Sequence, residues 1–236
     1  MNNPNKNLFD SFAKNYRVIQ DESLNITGAN SDYYSEYKII EVSNKSNISP
    51  NGSILDFGCG DGSSLKYFRK HFPSCSLHGI DVSKESIKIA EKLEIDNCQV
   101  ALFNGLNAPF EDSIFDIVFL ANVLHHIPVK HHCKVLIECK RILKIGGSIY
   151  IFEHNPFNPV TRKIFKDCIF DKDAEMIYFQ TLNKKLKLAG FLKTKKSFYL
   201  FSPRHKIFSI FHRLEKHFSF LPIGGQYCLS GRKEIL

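Results

Sequence analysis

The chain has 236 residues, 43% of them apolar and 24% charged, which suits one soluble globular core of moderate size. No apolar run approaches the roughly 20 residues that a bilayer-spanning helix needs, and the opening MNNPNKNLFDSF holds no apolar signal core, so a cytoplasmic protein is expected rather than a secreted one. The net charge of +8 is unevenly spread: residues 1–153 carry 16 Lys+Arg against 18 Asp+Glu, and residues 154–236 carry 16 against 6. A basic C-terminal third suits an anionic substrate, a membrane surface or a nucleic acid. The 7 cysteines contain no C-x-x-C pair and read as reduced thiols.

Leu8, Phe9, Phe12 and Tyr16 recur at helical spacing and predict an amphipathic helix over 8–20. A polar stretch at 25–30 separates it from a second helix over about 31–43. Ile54, Leu55 and Phe57 then read as a strand buried on both faces. Gly58, Gly60 and Gly62 follow at every second position, and Ser63 to Lys70 reads as a helix. A strand, a glycine turn and a helix N-terminus together make a ligand site, because the backbone can approach closely and unpaired N–H groups point outward. The turn lacks the Gly-Lys-Ser/Thr ending of a phosphate loop, and its G-x-G-x-G spacing differs from the dinucleotide fingerprint. Asp56, just before the first glycine, would repel a pyrophosphate and would suit a ligand bearing an ammonium and a sulfonium.

Residues 75–80 predict a second strand ending in Asp81, an acid placed to accept both hydroxyls of a ribose. Ser83 caps a helix running to Lys92. A third strand covers 98–103 and leads into Asn104-Gly105. A fourth covers 115–120, with Ala121 at its carboxyl end, where open α/β sheets place their ligands. A helix bearing Glu138 and Arg141, a tight turn at Gly146-Gly147 and a fifth strand over 148–153 come next. The prolines of Glu153–Pro159 argue against helix there, and a connector with short helices reaches about 176. A helix over 180–189 ends at Gly190, and the last two strands cover 191–201 and 226–233. Between them, 203–221 predicts a helix with Ile207, Ile210, Phe211 and Leu214 on one face and Arg204, Lys206, Arg213 and Lys216 on or beside the other.

Three signatures in order resemble the class I S-adenosylmethionine-dependent methyltransferases of the small-molecule type. They are SILDFGCGDG, then PFEDSIFDIVFLANVLHH, then Glu138 to Gly147 in the pattern E-x-x-R-x-L-K-x-G-G. The likeness covers about 50–153 and extends weakly to both ends. It implies an α/β, Rossmann-like fold: a seven-stranded mostly parallel sheet with an antiparallel last strand and helices on both faces. It also implies one methyltransferase domain over 1–236, divided into an N-terminal helical cover (1–49), a cofactor-binding core (50–153) and a substrate side with the C-terminal strands (154–236).

By the same resemblance the cofactor is S-adenosyl-L-methionine. Gly58 and Gly60 give it backbone access, Asp56 meets the methionine amino group, Asp81 holds the ribose and Val82 lies beside the adenine. Asn104 and Gly105 flank that base, the Ala121 carbonyl meets the methionine end, and Tyr16 closes over the donor. Asn104 departs from the family's usual aspartate, keeping a hydrogen-bonding group without the charge.

The acceptor is expected to be a small molecule or a lipid- or sugar-linked compound, methylated at oxygen, with no nucleic acid as partner. His126 and His154 are the candidate bases, with His125 and Glu153 beside them, because an imidazole titrating near neutrality suits removal of a hydroxyl proton. No metal is assigned: the adjacent pairs His125-His126 and His131-His132 point apart and no H-E-x-x-H pattern is present. The basic helix at 204–221 could lie on an anionic bilayer. Two other classes stay open, a nicotinamide-dependent oxidoreductase on a related fold and a non-catalytic module that binds the donor.

Overall fold

The computed structural model describes residues 9–13, 15–205 and 214–235. Seven strands form one sheet in the order β3-β2-β1-β4-β5-β7-β6. They are β1 (Ser53–Phe57), β2 (Ser76–Asp81), β3 (Cys98–Leu102), β4 (Phe115–Ala121), β5 (Leu143–His154), β6 (Thr194–Tyr199) and β7 (Gln226–Arg232). β1 runs parallel to β2 and β4, β2 to β3, and β4 to β5, while β7 is antiparallel to both β5 and β6. The expected mostly parallel sheet with an antiparallel last strand is therefore present.

The helices are α1 (Tyr16–Leu24), α2 (Ser31–Lys45), α3 (Ser63–His71), α4 (Lys84–Glu91), α5 (His132–Ile142), α6 (Pro159–Asp167) and α7 (Phe179–Leu188). Alternation along the central strands sends side chains to two cores. Leu55, Phe57, Val118, Leu120, Ile149 and Ile151 pack with Leu136 of α5 and Leu182 of α7. Ile54, Ile117, Phe119, Tyr150 and Phe152 pack on the other face with Ile39 of α2, Phe68 of α3 and Ile87 of α4. All five residues of β1 are buried, as a strand covered on both faces requires. Phe119 is wholly buried, and its truncation to alanine would cost about 3–5 kcal/mol.

The chain passes from β1 outward to β2 and β3, then returns to β4 on the opposite side of β1. That reversal opens a crevice at the carboxyl ends of β1 and β4, the place where open α/β sheets bind ligands.

Several local expectations are refined. The N-terminal helix over 8–20 is interrupted: a helical turn covers 9–12 and α1 starts only at Tyr16. Ser83 caps α4 as expected, its hydroxyl accepting from the Ser86 N–H at 3.1 Å. The turn at 144–147 is a bulge inside one long strand, with β5 pairing at Leu143, slipping, and resuming at Ser148. Pro159 begins α6 at its first position, where a missing N–H costs nothing, behind the Asn158 cap.

Most of the expected 203–221 helix, residues 206–213, lies outside the described residues. Its described ends do not continue one amphipathic helix. Residues 203–205 are not helical, and Glu215–Phe218 is a short 3-10 turn. Arg204 is turned inward, paired with Glu215 at 2.5 Å with both side chains 7% exposed, and lies over the Tyr33 and Tyr37 rings. Tertiary pairing has overridden the amphipathic pattern there.

Candidate functional site

A cavity of about 640 Å³ occupies the crevice. Its walls come from the turn after β1, the ends of β2 and β4, the loop after β3, and the N-terminal helices. Gly58, Gly60, Asp81, Val82, Asn104, Gly105, Ala121 and His126 all border it. The sequence thus names eight residues that share one wall system. Gly60 adopts φ +52°, and nothing lies within 4 Å of where a Cβ would project, so the backbone there is open to a ligand. Gly58, at φ +85°, lies so close to Val123 that a Cβ would meet it at 2.5 Å.

The Asp81 carboxylate accepts from the Gly60 N–H at 2.9 Å and the Ser83 N–H at 2.8 Å, which ties the glycine turn to the end of β2. The Val82 N–H is a third backbone donor to this carboxylate, so one of its roughly four acceptor sites remains. Asn104 is used differently from the expectation. Its carbonyl oxygen accepts from Leu106 and Asn107 N–H at 2.9 and 2.8 Å, so only its amide NH₂ remains for a ligand.

Asp56 does not border the cavity. It lies behind the wall, 2% exposed, with one carboxylate oxygen unpartnered. Burial, with the charges of Asp81 and Asp61, pushes it up to about 8. Lys38, from α2, does border the cavity, and burial lowers its amine to about 8 while Glu153 and Asp56 oppose the fall. Tyr16 and Arg17 of α1 also border it. Tyr16 packs on Phe170 with ring centroids 4.5 Å apart. Arg17 grips Asp61 with a guanidinium fork, both bonds 2.6 Å, and also donates to Ser63.

The second group of polar residues lies beside His126. Glu153 at the end of β5 accepts from the Leu124 N–H at 3.0 Å and pairs with His125 Nδ1 at 2.5 Å. Asp171, just after α6, places Oδ1 3.3 Å from His125 Nε2 and 3.4 Å from His126 Nε2. Burial alone would lower His125, but Glu153 and Asp171 outweigh it and raise it to about 10. His126 falls to about 3 through burial and the neighbouring His125 charge. His154 falls to about 4, again mainly through burial. Neither candidate base titrates near neutrality, contrary to expectation, because both imidazoles are buried and the His125 imidazolium lies beside them. His154 is not part of the cavity wall; it lies against His125 and Phe165.

Contrary to expectation, His125 and His126 do not point apart but turn to the same Asp171 oxygen, with ring centroids 4.1 Å apart, whereas the other pair diverges. His131 borders the cavity, whereas His132 donates from Nε2 to the Ile127 carbonyl at 2.7 Å and accepts from Lys185 at Nδ1. Lys38, Arg17 and Asp171 were not singled out from sequence. Arg17 meets Asp61 across 44 residues of chain, and no local pattern reports such a contact.

A family model described as "Methyltransferase domain" matches residues 55–151. An uncharacterized protein of Methanocaldococcus jannaschii is 31% identical over 204 residues, 85% of this chain and 89% of that one. The chain belongs to the class I S-adenosylmethionine-dependent methyltransferases. A demethylmenaquinone methyltransferase of Thermotoga maritima is 26% identical over 151 residues, 64% of this chain and 62% of that one. A solved S-adenosylmethionine-dependent methyltransferase of the same organism shares the fold, with a TM-score of 0.69 at 19% identity over 98% of this chain and 100% of that one.

The methyltransferase therefore uses S-adenosylmethionine, which sets aside the nicotinamide alternative. The cavity fits that donor. A buried polar atom without a partner at the wall, Asn122 Oδ1, suits a ligand rich in amine and hydroxyl donors. The open face of Gly60 gives such a ligand backbone contact. Among the described residues, no helix is long and apolar enough to cross a membrane.

Proposed function

We propose that this methyltransferase carries a methyl group to an oxygen atom of a small-molecule or lipid- or sugar-linked acceptor, with His126 taking the proton. The observation that carries this reading is that one cavity is bordered both by the Gly58–Gly60 turn and by His126. Donor and acceptor held in one such space react as if at very high effective concentration.

The sulfonium donor supplies an activated methyl group and a good leaving group when bound. The chain's own residues then divide the work. Gly58 and Gly60 offer backbone contact, while Asp56 stays behind the wall, outside the space the donor fills. Asp81 accepts from a ribose hydroxyl and Val82 borders the adenine. Asn104 donates its amide NH₂ to a ring nitrogen, with Gly105 beside it. The Ala121 carbonyl faces the methionine end, and Tyr16 and Arg17 cover the cleft from α1.

A base as weak as His126 is sufficient here. A hydroxyl oxygen that has begun to accept a methyl cation becomes a strongly acidic oxonium, so an imidazole held at about 3 still takes its proton. Asp171, 3.4 Å from His126 Nε2, steadies the imidazolium that forms. His154 supports His125 from behind rather than touching the acceptor. The relative from Thermotoga maritima is named for demethylmenaquinone, which makes an organic-soluble acceptor a reasonable first class to test.

His126→Ala is expected to lower turnover by about 10²–10⁴-fold, the usual worth of a positioned proton acceptor, while donor affinity stays at the wild-type value. Single-turnover rates and a donor titration measure the two separately. Wild-type turnover in that variant would place the proton acceptor elsewhere.

A further inference from the structure

We propose that His125, His154 and Asp171 form a binding site for one divalent transition-metal ion of the zinc type. The three residues come from distant parts of the chain: the 3-10 turn after β4, the last residue of β5, and the 3-10 turn after α6. Their convergence is a product of the tertiary fold rather than of local geometry. Each offers one ligand atom, and the three atoms lie within 4.8 Å of one another.

One of the three spacings already matches a shared ion, and the other ligand atoms lie within 4.8 Å. Asp171 Oδ1 is 3.3 Å from His125 Nε2, beyond the roughly 2.7–2.9 Å of a charge-assisted hydrogen bond. Two ligands on a tetrahedral ion with bonds of about 2.0–2.1 Å stand about 3.3–3.5 Å apart, which is the separation seen. Glu153 completes the outer arrangement. By accepting from His125 Nδ1–H at 2.5 Å it leaves Nε2 as the nitrogen directed at Asp171, the carboxylate–imidazole support found behind metal-bound histidines. Among the described residues His154 has no hydrogen bond to either ring nitrogen, so its lone pair is uncommitted. The Phe165 ring flanks both imidazoles, at 5.5 and 5.6 Å, and gives the site an apolar wall.

Two imidazoles and one carboxylate favour zinc and its first-row neighbours over calcium or magnesium, which prefer oxygen donors. The competing occupant is a proton held between His125 and Asp171. The site would sit just behind the cavity, since His126 borders the cavity and reaches the same Asp171 oxygen. The inference does not depend on the acceptor proposed above.

The test is titration of metal-stripped, full-length protein with Co²⁺ and with Zn²⁺, read by visible absorption and by metal content after desalting. The expected result is one ion per chain, with the intense visible bands of four-coordinate Co²⁺. His154→Gln and Asp171→Asn should each weaken binding by at least about 10–100-fold, the loss already seen for supporting residues alone. Retained donor binding would show that a variant is folded. His71→Gln, a histidine paired with Glu36 on the outer helices, should bind as wild type. Folded wild-type protein that keeps no zinc, or Co²⁺ affinity unchanged in both His154→Gln and Asp171→Asn, would overturn the site and leave the proton as its occupant.

Discussion

Asp56 and Lys38 are two buried ionisable groups whose values are driven toward each other, to about 8 in both cases. Their effects on stability have opposite signs. Between the unfolded carboxylate near 3.9 and about 8, the folded chain keeps a proton on Asp56 that the unfolded chain releases, so stability falls as pH rises. Between about 8 and the unfolded amine near 10.4, the unfolded chain holds a proton that folded Lys38 has lost, so stability rises again. The two groups together make the donor-free protein weakest near pH 8. Asp56→Asn should therefore reduce the drop in melting temperature between pH 5 and pH 8 by at least about 2–4 °C, the shift that about 1 kcal/mol gives a chain of this size. Thermal melts of the two proteins across that range measure it, and parallel profiles would mean that Asp56 is ionised throughout. Gly58, Gly60 and Asp81 were readable from sequence as neighbours in one crevice, because a strand, a turn and a helix at fixed spacing report themselves locally; Asp56, read from the same motif, is instead buried behind the wall. The values taken by His126 and Lys38 were not readable, since they depend on burial and on which distant side chains come near.

At the scale of elements, the glycine turn is held from two sides. Asp81 ties it to β2 through the Gly60 N–H, and Arg17 ties it to α1 through Asp61. α1 buries no residue fully, so its attachment leans on that fork. Removing the guanidinium should cost the local unit about 1–2 kcal/mol. Hydrogen exchange over 16–24 in Arg17→Ala should then quicken about 5–30-fold, with β1 and β4 unchanged. Equal exchange in both proteins would show that α1 is held by packing instead. The parallel strands were legible because buried runs such as ILDF and FDIVFL have one sensible use. The broken start of α1 and the β5 bulge were not, because both are set by what the segment packs against. The same holds for Arg204, which the helical pattern put on a charged face and which the fold pairs with Glu215.

Over the whole molecule, the reversal between β1 and β4 brings two chemistries to one crevice. The turn after β1 supplies the donor side, and the ends of β4 and β5 supply the imidazoles and carboxylates beside it. The order of motifs along the chain predicted the donor side, because each motif follows its own strand. The Asp171 contribution was hidden, since it reaches the crevice from beyond β5, where the sequence shows only a polar connector. Methyl transfer from S-adenosylmethionine to an acceptor that is neither protein nor nucleic acid is the activity proposed for this crevice. It is tested most directly by incubating the protein and labelled donor with cell extract, then separating organic-soluble, small aqueous, protein and RNA fractions. Label is expected in the organic-soluble or small aqueous fraction and should disappear with His126→Ala; label confined to protein or RNA would overturn this acceptor class.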